Sequence, residues 1–429
     1  MIHYVSSEAF AALACLLFLA LAAAAHFFQW SFWSSMTKVE TLVAVVSCAF
    51  ACRGVASGRP CKWPRGVDFT SRVALVTGAS SGVGYGVAQE LSLHGWTVIM
   101  AGRDLMRLLK AKRSLAAQNP PGRLVVLGEV DLADLDSVRS FAASVLEQRE
   151  KFPVSLLVNA AGVLRRHLHR CEDTGMEEMI ATNVVGPMLL TNLLLPLLEE
   201  AADRSGASSR IVNVASSCHT FLGASRRCGP AEMLAALHPQ PPGEGAAAAA
   251  KAVPPALEDF TLGNFVRYYG LSKLCVIWWT SVLARRVSLR FFRHGDGNHL
   301  KVFVACCHPG IITTRLYRDL FSQRVLDRII YYPSLLIGKT WREGAQAALR
   351  AGIETENMVH GGYYMCTGEY GPNSGINCLS KDAMNMEEAN KFCAWAEAQI
   401  EAQKNRPRQP GQGKKVARPK RVMRVTFVT

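Results

Sequence analysis

The stretch "RVALVTGASSGVGYGVAQELSLHGWTVIMAGRD", residues 72–104, decides the fold. An apolar run rich in β-branched residues leads into a glycine-rich turn, an amphipathic helical pattern and a second apolar run. Short apolar runs bounded by turn signals predict buried strands, and a period of 3.6 residues between them predicts a helix. Strand and helix patterns continue to alternate beyond residue 104. The sequence therefore predicts an α/β fold with a mostly parallel sheet.

The glycines of this stretch predict a dinucleotide-binding turn of the Rossmann type, in a doubly wound sheet with helices on both faces. Gly78 allows the chain to turn sharply out of the strand. Gly82 and Gly84 leave room for a pyrophosphate against the helix N-terminus and for close packing of helix on strand. The candidate cofactor contacts in the turn are Gly78, Ser80, Ser81, Gly82, Val83 and Gly84.

The end of the second strand bears on the choice of cofactor. An NAD site usually places an acidic residue here to bind the ribose 2′-hydroxyl, whereas this chain has Arg103, followed by Asp104. A guanidinium suits the additional phosphate of NADP. We therefore expect NADP(H), with NAD(H) as the alternative; an Arg103 that only faces solvent is the other interpretation.

Several further segments, together with the glycine-rich turn, resemble motifs of the short-chain dehydrogenase/reductase family. They are "VDLADLDSV" (130–138), "LVNAAGV" (157–163), "TNVVGPMLLT" (182–191), "IVNVASSCH" (211–219), "VRYYGLSK" (266–273) and "CHPGIITTRLY" (307–317). The resemblance covers about residues 70–400 and is to the membrane-anchored, retinol-dehydrogenase-like branch.

This resemblance implies the remaining cofactor contacts, at the adenine, at the turn after the fourth strand and at the nicotinamide carboxamide. In the turn, Ala160 stands where the family has a second asparagine, which weakens a structural hydrogen bond. The implied contacts are Asp131, Leu132, Asn159, Ala160, Ala161, Gly162, Tyr269, Lys273, Pro309, Gly310 and Thr314.

The resemblance also implies hydride transfer between a nicotinamide and a carbinol carbon, while a tyrosine moves the hydroxyl proton. The implied catalytic set is Asn183, Ser216, Tyr269 and Lys273. In the family pattern the lysine also binds the nicotinamide ribose, the asparagine positions a water of the proton relay, and the serine orients the substrate oxygen.

Two adjacent tyrosines and two adjacent serines leave alternatives within this set. Residues i and i+4 share a helix face, and Lys273 is four residues after Tyr269 but five after Tyr268. A nearby ammonium favours the phenolate, so the spacing favours Tyr269. Alignment of the strand end with the family pattern favours Ser216, with Ser217 as the alternative.

Charge and cysteine usage narrow the function classes. The net charge is +14, yet residues 404–429 hold nine Lys or Arg and no acidic residue. This predicts a disordered basic tail, solvated or in contact with anionic lipid; nucleic acid is disfavoured because the charges lack interleaved aromatic residues. The 13 cysteines show no CxxC spacing and form no Cys/His cluster, which predicts reduced thiols and no metal site.

Residues 1–65 predict a membrane anchor. An uncharged apolar run over residues 9–25, followed by aromatic residues between 27 and 33, is long enough to cross a bilayer. A second run, Thr41–Cys52, predicts an interfacial or hairpin partner. A cleaved signal peptide is the alternative, although no Lys or Arg precedes the apolar core. Basic residues after the run predict that the following domain faces the cytosol.

The expected organisation is an anchor region (1–65), one catalytic domain (66–400) and a basic tail (401–429). The low-complexity insertion 227–260 predicts an exposed loop or a cover over the substrate mouth. The expected protein is an NADP(H)-dependent oxidoreductase of the endoplasmic reticulum membrane, or alternatively of lipid droplets. It would act on a lipophilic alcohol or carbonyl such as a retinoid, sterol or polyprenoid, and homodimerisation stays open. The competing hypothesis is a catalytically idle membrane scaffold or redox-sensing partner.

Overall fold

The computed structural model describes residues 57–165, 169–171, 174–224, 262–294, 300–310, 312, 338–356, 358–366 and 379–404. Most of the expected anchor region, the insertion 227–260, Thr314 and residues 405–429 lie outside the described residues.

Seven parallel strands form one sheet. They are β1 (Val73–Thr77), β2 (Thr97–Ala101), β3 (Leu124–Val125), β4 (Val154–Asn159), β5 (Ser209–Val214), β6 (Val302–Cys307) and β7 (Tyr363–Tyr364). Their order is β3-β2-β1-β4-β5-β6-β7, and each pair of neighbours runs parallel. This order confirms the Rossmann-type sheet that the sequence predicts.

Helices connect the strands and cover both faces of the sheet. They are α1 (Gly82–Leu93), α2 (Leu105–Ala116), α3 (Leu135–Glu147), α4 (Glu178–Ser205), α5 (Leu262–His294), α6 (Trp341–Ile353) and α7 (Met386–Lys404). Short 3₁₀ turns lie at Ser217–Ala224 and Asp382–Met384.

Two hydrophobic cores lie on opposite faces of the sheet, because successive side chains of a strand point to opposite faces. In β1, Val73 and Leu75 belong to the core shared with α3, α4, α5 and α7. Ala74 and Val76 belong to the core shared with α1, α2 and α6. Burial on both faces explains the near-continuous apolar runs of the strands.

Helix α4 is long and apolar enough to cross a bilayer by length and composition alone, and 83% of its apolar window is buried inside the domain. It packs on α3 and against β4. A single π-helical turn, Ala181–Val185, interrupts its first part.

Residues 57–71, which we name the N-terminal strap, are bound along the domain before β1 begins. The Arg59 N–H donates to the Cys366 carbonyl (3.2 Å), and the Lys62 N–H donates to the Glu354 carboxylate (2.9 Å). Trp63 stacks on His94 with ring centroids 3.6 Å apart. The strap is therefore part of the folded domain.

The strand order reverses between β1 and β4. Strands β1 to β3 extend the sheet in one direction, and β4 to β7 extend it in the other. In such sheets the crevice at the carboxyl ends of the strands, at this switch point, is the usual ligand site.

Candidate active site

A cleft of about 260 Å³ lies at the carboxyl ends of the strands. Among the sequence-predicted site residues, it is lined by Gly78, Ser80, Ser81, Gly82, Val83, Arg103, Asp131, Leu132, Ala160, Ala161, Gly162, Ser216, Tyr269, Lys273, Pro309 and Gly310. Gly84, Asn159 and Asn183 do not line it. Thr314, the remaining candidate, lies outside the described residues.

The glycine-rich turn leads from β1 into α1 at one wall of the cleft. Gly78 and Gly82 have φ values of +67° and +60°, which only glycine adopts readily. Ser81 caps α1 without a side-chain hydrogen bond, and the first turn contains no acidic residue. The amide groups and dipole of this helix end are therefore available to an anion such as a pyrophosphate.

Gly84 contributes to packing. A Cβ at this position would lie 2.6 Å from the carbonyl oxygen of Gly78. Gly84 thus allows α1 to approach the turn closely, as expected for close packing of helix on strand; its contact with a cofactor stays a prediction.

Charged residues gather in the part of the cleft that follows β2. Arg103 is half exposed there, and its guanidinium lies 3.8 Å from the Glu178 carboxylate. Arg165 binds the same carboxylate. Burial acts to raise the pKa of Glu178, but the hydrogen bond and charge of Arg165 outweigh it and hold that pKa below its usual value.

Asp104 is occupied by the start of α2. Its carboxylate accepts a hydrogen bond from the Arg107 N–H (3.0 Å) and pairs with the Arg107 guanidinium (3.0 Å). This arrangement is a helix cap, so the carboxylate next to Arg103 is held by its own helix.

Asp131 and Leu132 also line the cleft, as does Thr182 of α4. The Asp131 side chain accepts from the Ala133 N–H (3.0 Å), and its own N–H donates to Ser137 (3.0 Å). Thr182, which also lines the cleft, is buried, and its hydroxyl has no hydrogen-bond partner among the described residues. An orphaned hydroxyl in a cleft wall points to a ligand group.

The turn after β4 is held by Thr77 rather than by a second asparagine. The Thr77 hydroxyl accepts from the N–H groups of Ala160 (3.1 Å) and Ala161 (3.2 Å). The side-chain amide of Asn159 donates to Asn213 (2.9 Å) and to Thr191 (3.1 Å). Asn159 therefore joins β4 to β5 beneath the cleft.

Asn183 lies in the π-helical turn of α4, a type of turn that is frequent at functional sites. Its side-chain oxygen accepts from the Val163 N–H (2.7 Å), and its amide donates to the Val163 carbonyl (3.1 Å) and to Ser272 (2.9 Å). The side chain thus joins the turn after β4 to the helix that carries Tyr269 and Lys273.

Lys273 is buried next to the cleft. Its ammonium donates to the Val214 carbonyl (2.8 Å) and lies 5.6 Å from the centroid of the Tyr269 ring. Burial lowers the pKa of Lys273 to about 8. Gly162 makes room beside this ammonium, because an added Cβ would lie 3.4 Å from Nζ and 3.3 Å from the Asn183 side-chain oxygen.

The adjacent tyrosines and serines separate in the structure. Tyr269 lines the cleft, whereas Tyr268 is buried in the core. Ser216 lines the cleft, and its hydroxyl accepts from the Cys218 N–H (3.3 Å). The Ser217 N–H donates to the His308 ring (3.3 Å).

Sequence analysis did not propose some of the residues that line the cleft. They are Thr77, Gly102, Asp104, Arg107, Val130, Val163, Leu164, Arg165, Thr182, Val214, Ala215 and Ile312. Thr77 and Thr182 each directly precede a motif residue, and their position at the end of β1 and at the start of a motif is the signal that could have identified them.

Comparisons with known proteins identify the family of the chain. Residues 72–225 match the short chain dehydrogenase family model. The chain is 33% identical to polyprenol dehydrogenase of Mus musculus, over 68% of this chain and 75% of that protein. It is 30% identical to retinol dehydrogenase 12 of Bos taurus, over 67% of this chain and 75% of that protein.

A solved structure of an uncharacterised protein from Mycobacterium paratuberculosis matches with a TM-score of 0.52 and 25% identity, over 81% of this chain and 97% of that one. Fold and relatives thus agree: the chain is an oxidoreductase that belongs to the short-chain dehydrogenase/reductase family, in its retinol-dehydrogenase-like branch.

Proposed function

We propose that the protein is an NADP(H)-dependent oxidoreductase that interconverts a hydroxyl and a carbonyl group on a lipophilic substrate, with Tyr269 as the acid/base. One observation carries this proposal. Tyr269, the buried Lys273 and Ser216 line one cleft, which the cations Arg103 and Arg107 also line.

The residues of the cleft fit a dinucleotide. The turn before α1 offers backbone N–H groups, Gly162 leaves a cradle beside Lys273 that a side chain would fill, and Thr182 offers an orphaned hydroxyl. When bound, a nicotinamide dinucleotide supplies the hydride acceptor or donor.

Side chains of the protein supply the proton for the substrate oxygen and stabilise the negative charge that this transfer leaves behind. In the reductive direction, Tyr269 donates its hydroxyl proton to the substrate oxygen, and Lys273 stabilises the negative charge left on the phenol oxygen. With a pKa of about 8, Lys273 remains mostly protonated at neutral pH. Ser216 accepts from the Cys218 N–H and keeps its hydroxyl proton to donate to the same substrate oxygen.

The preference for NADP(H) rests on the charges at the adenosine end. The Arg103 guanidinium lines the cleft and is half exposed, and Arg107 lies beside it. The nearby carboxylate of Asp104 caps α2 and pairs with Arg107, so its negative charge is partly balanced within its own helix. Two guanidinium groups beside a carboxylate that is engaged in its own helix favour a cofactor with a 2′-phosphate.

The substrate class follows from the relatives, whose names give retinol and polyprenol as substrates. We extend this to a retinoid, sterol or polyprenoid carbonyl or alcohol. The apolar run near the N-terminus supports an anchor over residues 1–65 in the endoplasmic reticulum membrane, or alternatively at lipid droplets, with the catalytic domain 66–400 in the cytosol. A homodimer fits the family.

A matched pair of tyrosine variants tests the proposal. Full-length protein in detergent is supplied with NADPH and a panel of retinal, polyprenal and a sterol ketone, and NADPH oxidation is followed. Replacing Tyr269 by Phe removes the proton donor, so turnover should fall by at least about 100-fold. Tyr268→Phe, in the core, is the control and should stay within about threefold of wild type.

Equal activity of the Tyr269→Phe variant and the wild type would contradict the assigned role of this tyrosine. NADPH binding without turnover of any substrate in the panel would support the competing hypothesis of an idle scaffold.

A further inference from the structure

His219 lies three residues after Ser216, at the end of the segment "IVNVASSCH", and is not one of the four catalytic residues. Its side chain is fully buried in the 3₁₀ turn Ser217–Ala224. Burying an imidazole is costly unless its ring nitrogens have hydrogen-bond partners. The partners of His219 therefore need to be identified.

Both ring nitrogens of His219 have backbone partners. Nδ1 lies 2.7 Å from the Ser216 carbonyl oxygen, and Nε2 lies 3.4 Å from the Ser380 nitrogen. A carbonyl only accepts and an N–H only donates, so Nδ1 carries the proton and Nε2 accepts. Burial lowers the pKa of His219 and outweighs the opposing effect of its hydrogen bond with Ser216, so the neutral tautomer that both bonds require is retained.

The peptide unit between Ser216 and Ser217 is therefore held at both ends. Its carbonyl accepts from His219, and its N–H donates to His308 Nδ1 (3.3 Å). Because a peptide unit is planar, fixing its two polar ends also fixes its rotation. The direction in which the Ser216 side chain leaves the backbone is fixed with it.

His219 also connects this peptide to the catalytic helix through the C-terminal segment. Ser380 lies directly before the turn Asp382–Met384, and the Asp382 carbonyl accepts from the Trp278 indole N–H of α5 (2.8 Å). From the other side, Gly270 of α5 packs on the turn so closely that a Cβ would lie 2.4 Å from the Cys218 carbonyl oxygen. The serine turn is thus enclosed between α5 and the C-terminal segment.

We propose that His219 is a positioning residue that holds the Ser216–Ser217 peptide against the C-terminal segment and thereby sets the Ser216 hydroxyl relative to Tyr269. The catalytic part of this inference rests on the proposed function, whereas the structural bridge does not.

Two conservative variants separate the two bonds. The amide nitrogen of Asn is as far along the side chain as Nδ1, so His219→Asn keeps a donor for the Ser216 carbonyl and loses the acceptor for Ser380. The amide oxygen of Gln extends as far as Nε2, so His219→Gln keeps an acceptor for Ser380 and loses the donor for Ser216. His360→Asn is the control, because His360 likewise bridges two backbone groups, the Ala284 carbonyl (2.9 Å) and the Val304 N–H (3.2 Å), in another part of the domain.

Hydrogen–deuterium exchange of the full-length protein tests the bridge without any substrate. We expect amide exchange in residues 379–385 to accelerate by about tenfold in His219→Asn, and exchange in residues 214–222 to accelerate by about tenfold in His219→Gln. His360→Asn should change neither segment. Unchanged exchange of both segments in both His219 variants would overturn the inference.

Kinetics with NADPH and the carbonyl panel test the catalytic consequence. We expect kcat to fall by about tenfold in His219→Gln, which loses the bond to Ser216 itself, and by about threefold in His219→Asn, which loses only the anchor on Ser380, with NADPH affinity unchanged in both. Parallel losses of kcat, NADPH affinity and thermal stability in both variants would instead show a purely structural role. Wild-type protein that reduces no carbonyl would count against the proposed function, and the exchange measurements would still decide on the bridge.

Discussion

The buried ammonium of Lys273 makes the stability of the protein depend on pH in a way that one substitution isolates. Lys273→Met replaces the ammonium by an apolar side chain of similar length. Burial of the charged ammonium lowers the free energy of unfolding of the wild type, and the variant has no such charge. The two proteins have the same titrating groups at all other positions. The difference between the two proteins in free energy of unfolding therefore reports on the ionisation of Lys273 and on its coupling to the nearby thiols of Cys218 and Cys307.

The size of the effect follows from the lowered pKa. One pKa unit corresponds to about 1.4 kcal/mol, so a shift from 10.5 to about 8 amounts to about 3 kcal/mol of unfavourable free energy at neutral pH. Below pH 8 both the folded and the unfolded states are protonated, and this cost is complete. As the pH rises through 8 the folded state releases its proton first, so the cost is relieved between pH 8 and 10.5.

We therefore expect the free energy of unfolding of the wild type, relative to Lys273→Met, to increase by roughly 2 kcal/mol between pH 7 and pH 9.5. Urea unfolding of both cofactor-free proteins in detergent, followed by tryptophan fluorescence, measures it. Loss of the hydrogen bond to the Val214 carbonyl changes the free energy of unfolding of the variant by the same amount at every pH, so it does not affect the pH dependence. Parallel pH dependences of the two proteins would refute the reasoning, because they would mean that the folded-state pKa of Lys273 is not lowered.

Two further predictions concern the cofactor cleft. Arg103→Asp should weaken NADPH binding by at least about tenfold and leave NADH binding unchanged or stronger, measured by fluorescence titration; equal changes for both cofactors would count against a phosphate contact. Gly84→Ala should lower both NADPH affinity and thermal stability, because its Cβ would meet the Gly78 carbonyl oxygen at 2.6 Å. Gly128→Ala, where an added Cβ meets nothing within 4 Å, is the control, and similar losses in both variants would exclude the steric explanation.

Local patterns were sufficient to predict the fold. The doubly wound parallel sheet follows from strand and helix patterns that alternate along the chain, and the turn at Gly78 needs a positive φ that glycine supplies. Helical spacing likewise distinguishes Tyr269 from Tyr268, because a helix of known period determines which face each side chain occupies.

Contacts between segments that are far apart along the chain could not be predicted from the sequence. The bond from His219 to Ser380 spans 161 residues, and no local pattern predicts it. The same holds for Asn159, whose amide donates to Asn213, its partner on the neighbouring strand β5, and which does not line the cleft. Thr182, whose hydroxyl is buried, lies in the π-helical turn. Such a turn adds one residue to the helical repeat, and the hydrophobic periodicity of the sequence does not reveal it.

The N-terminal strap has a mechanical consequence. A domain that follows a flexible linker can adopt any orientation to what precedes it, whereas a bound segment removes that freedom. Backbone bonds at Arg59 and Lys62 and the stacked ring of Trp63 fix the chain to α6, β7 and α1. A pull on the chain at residue 57 therefore reaches the ends of α6 and β7 before the catalytic cleft.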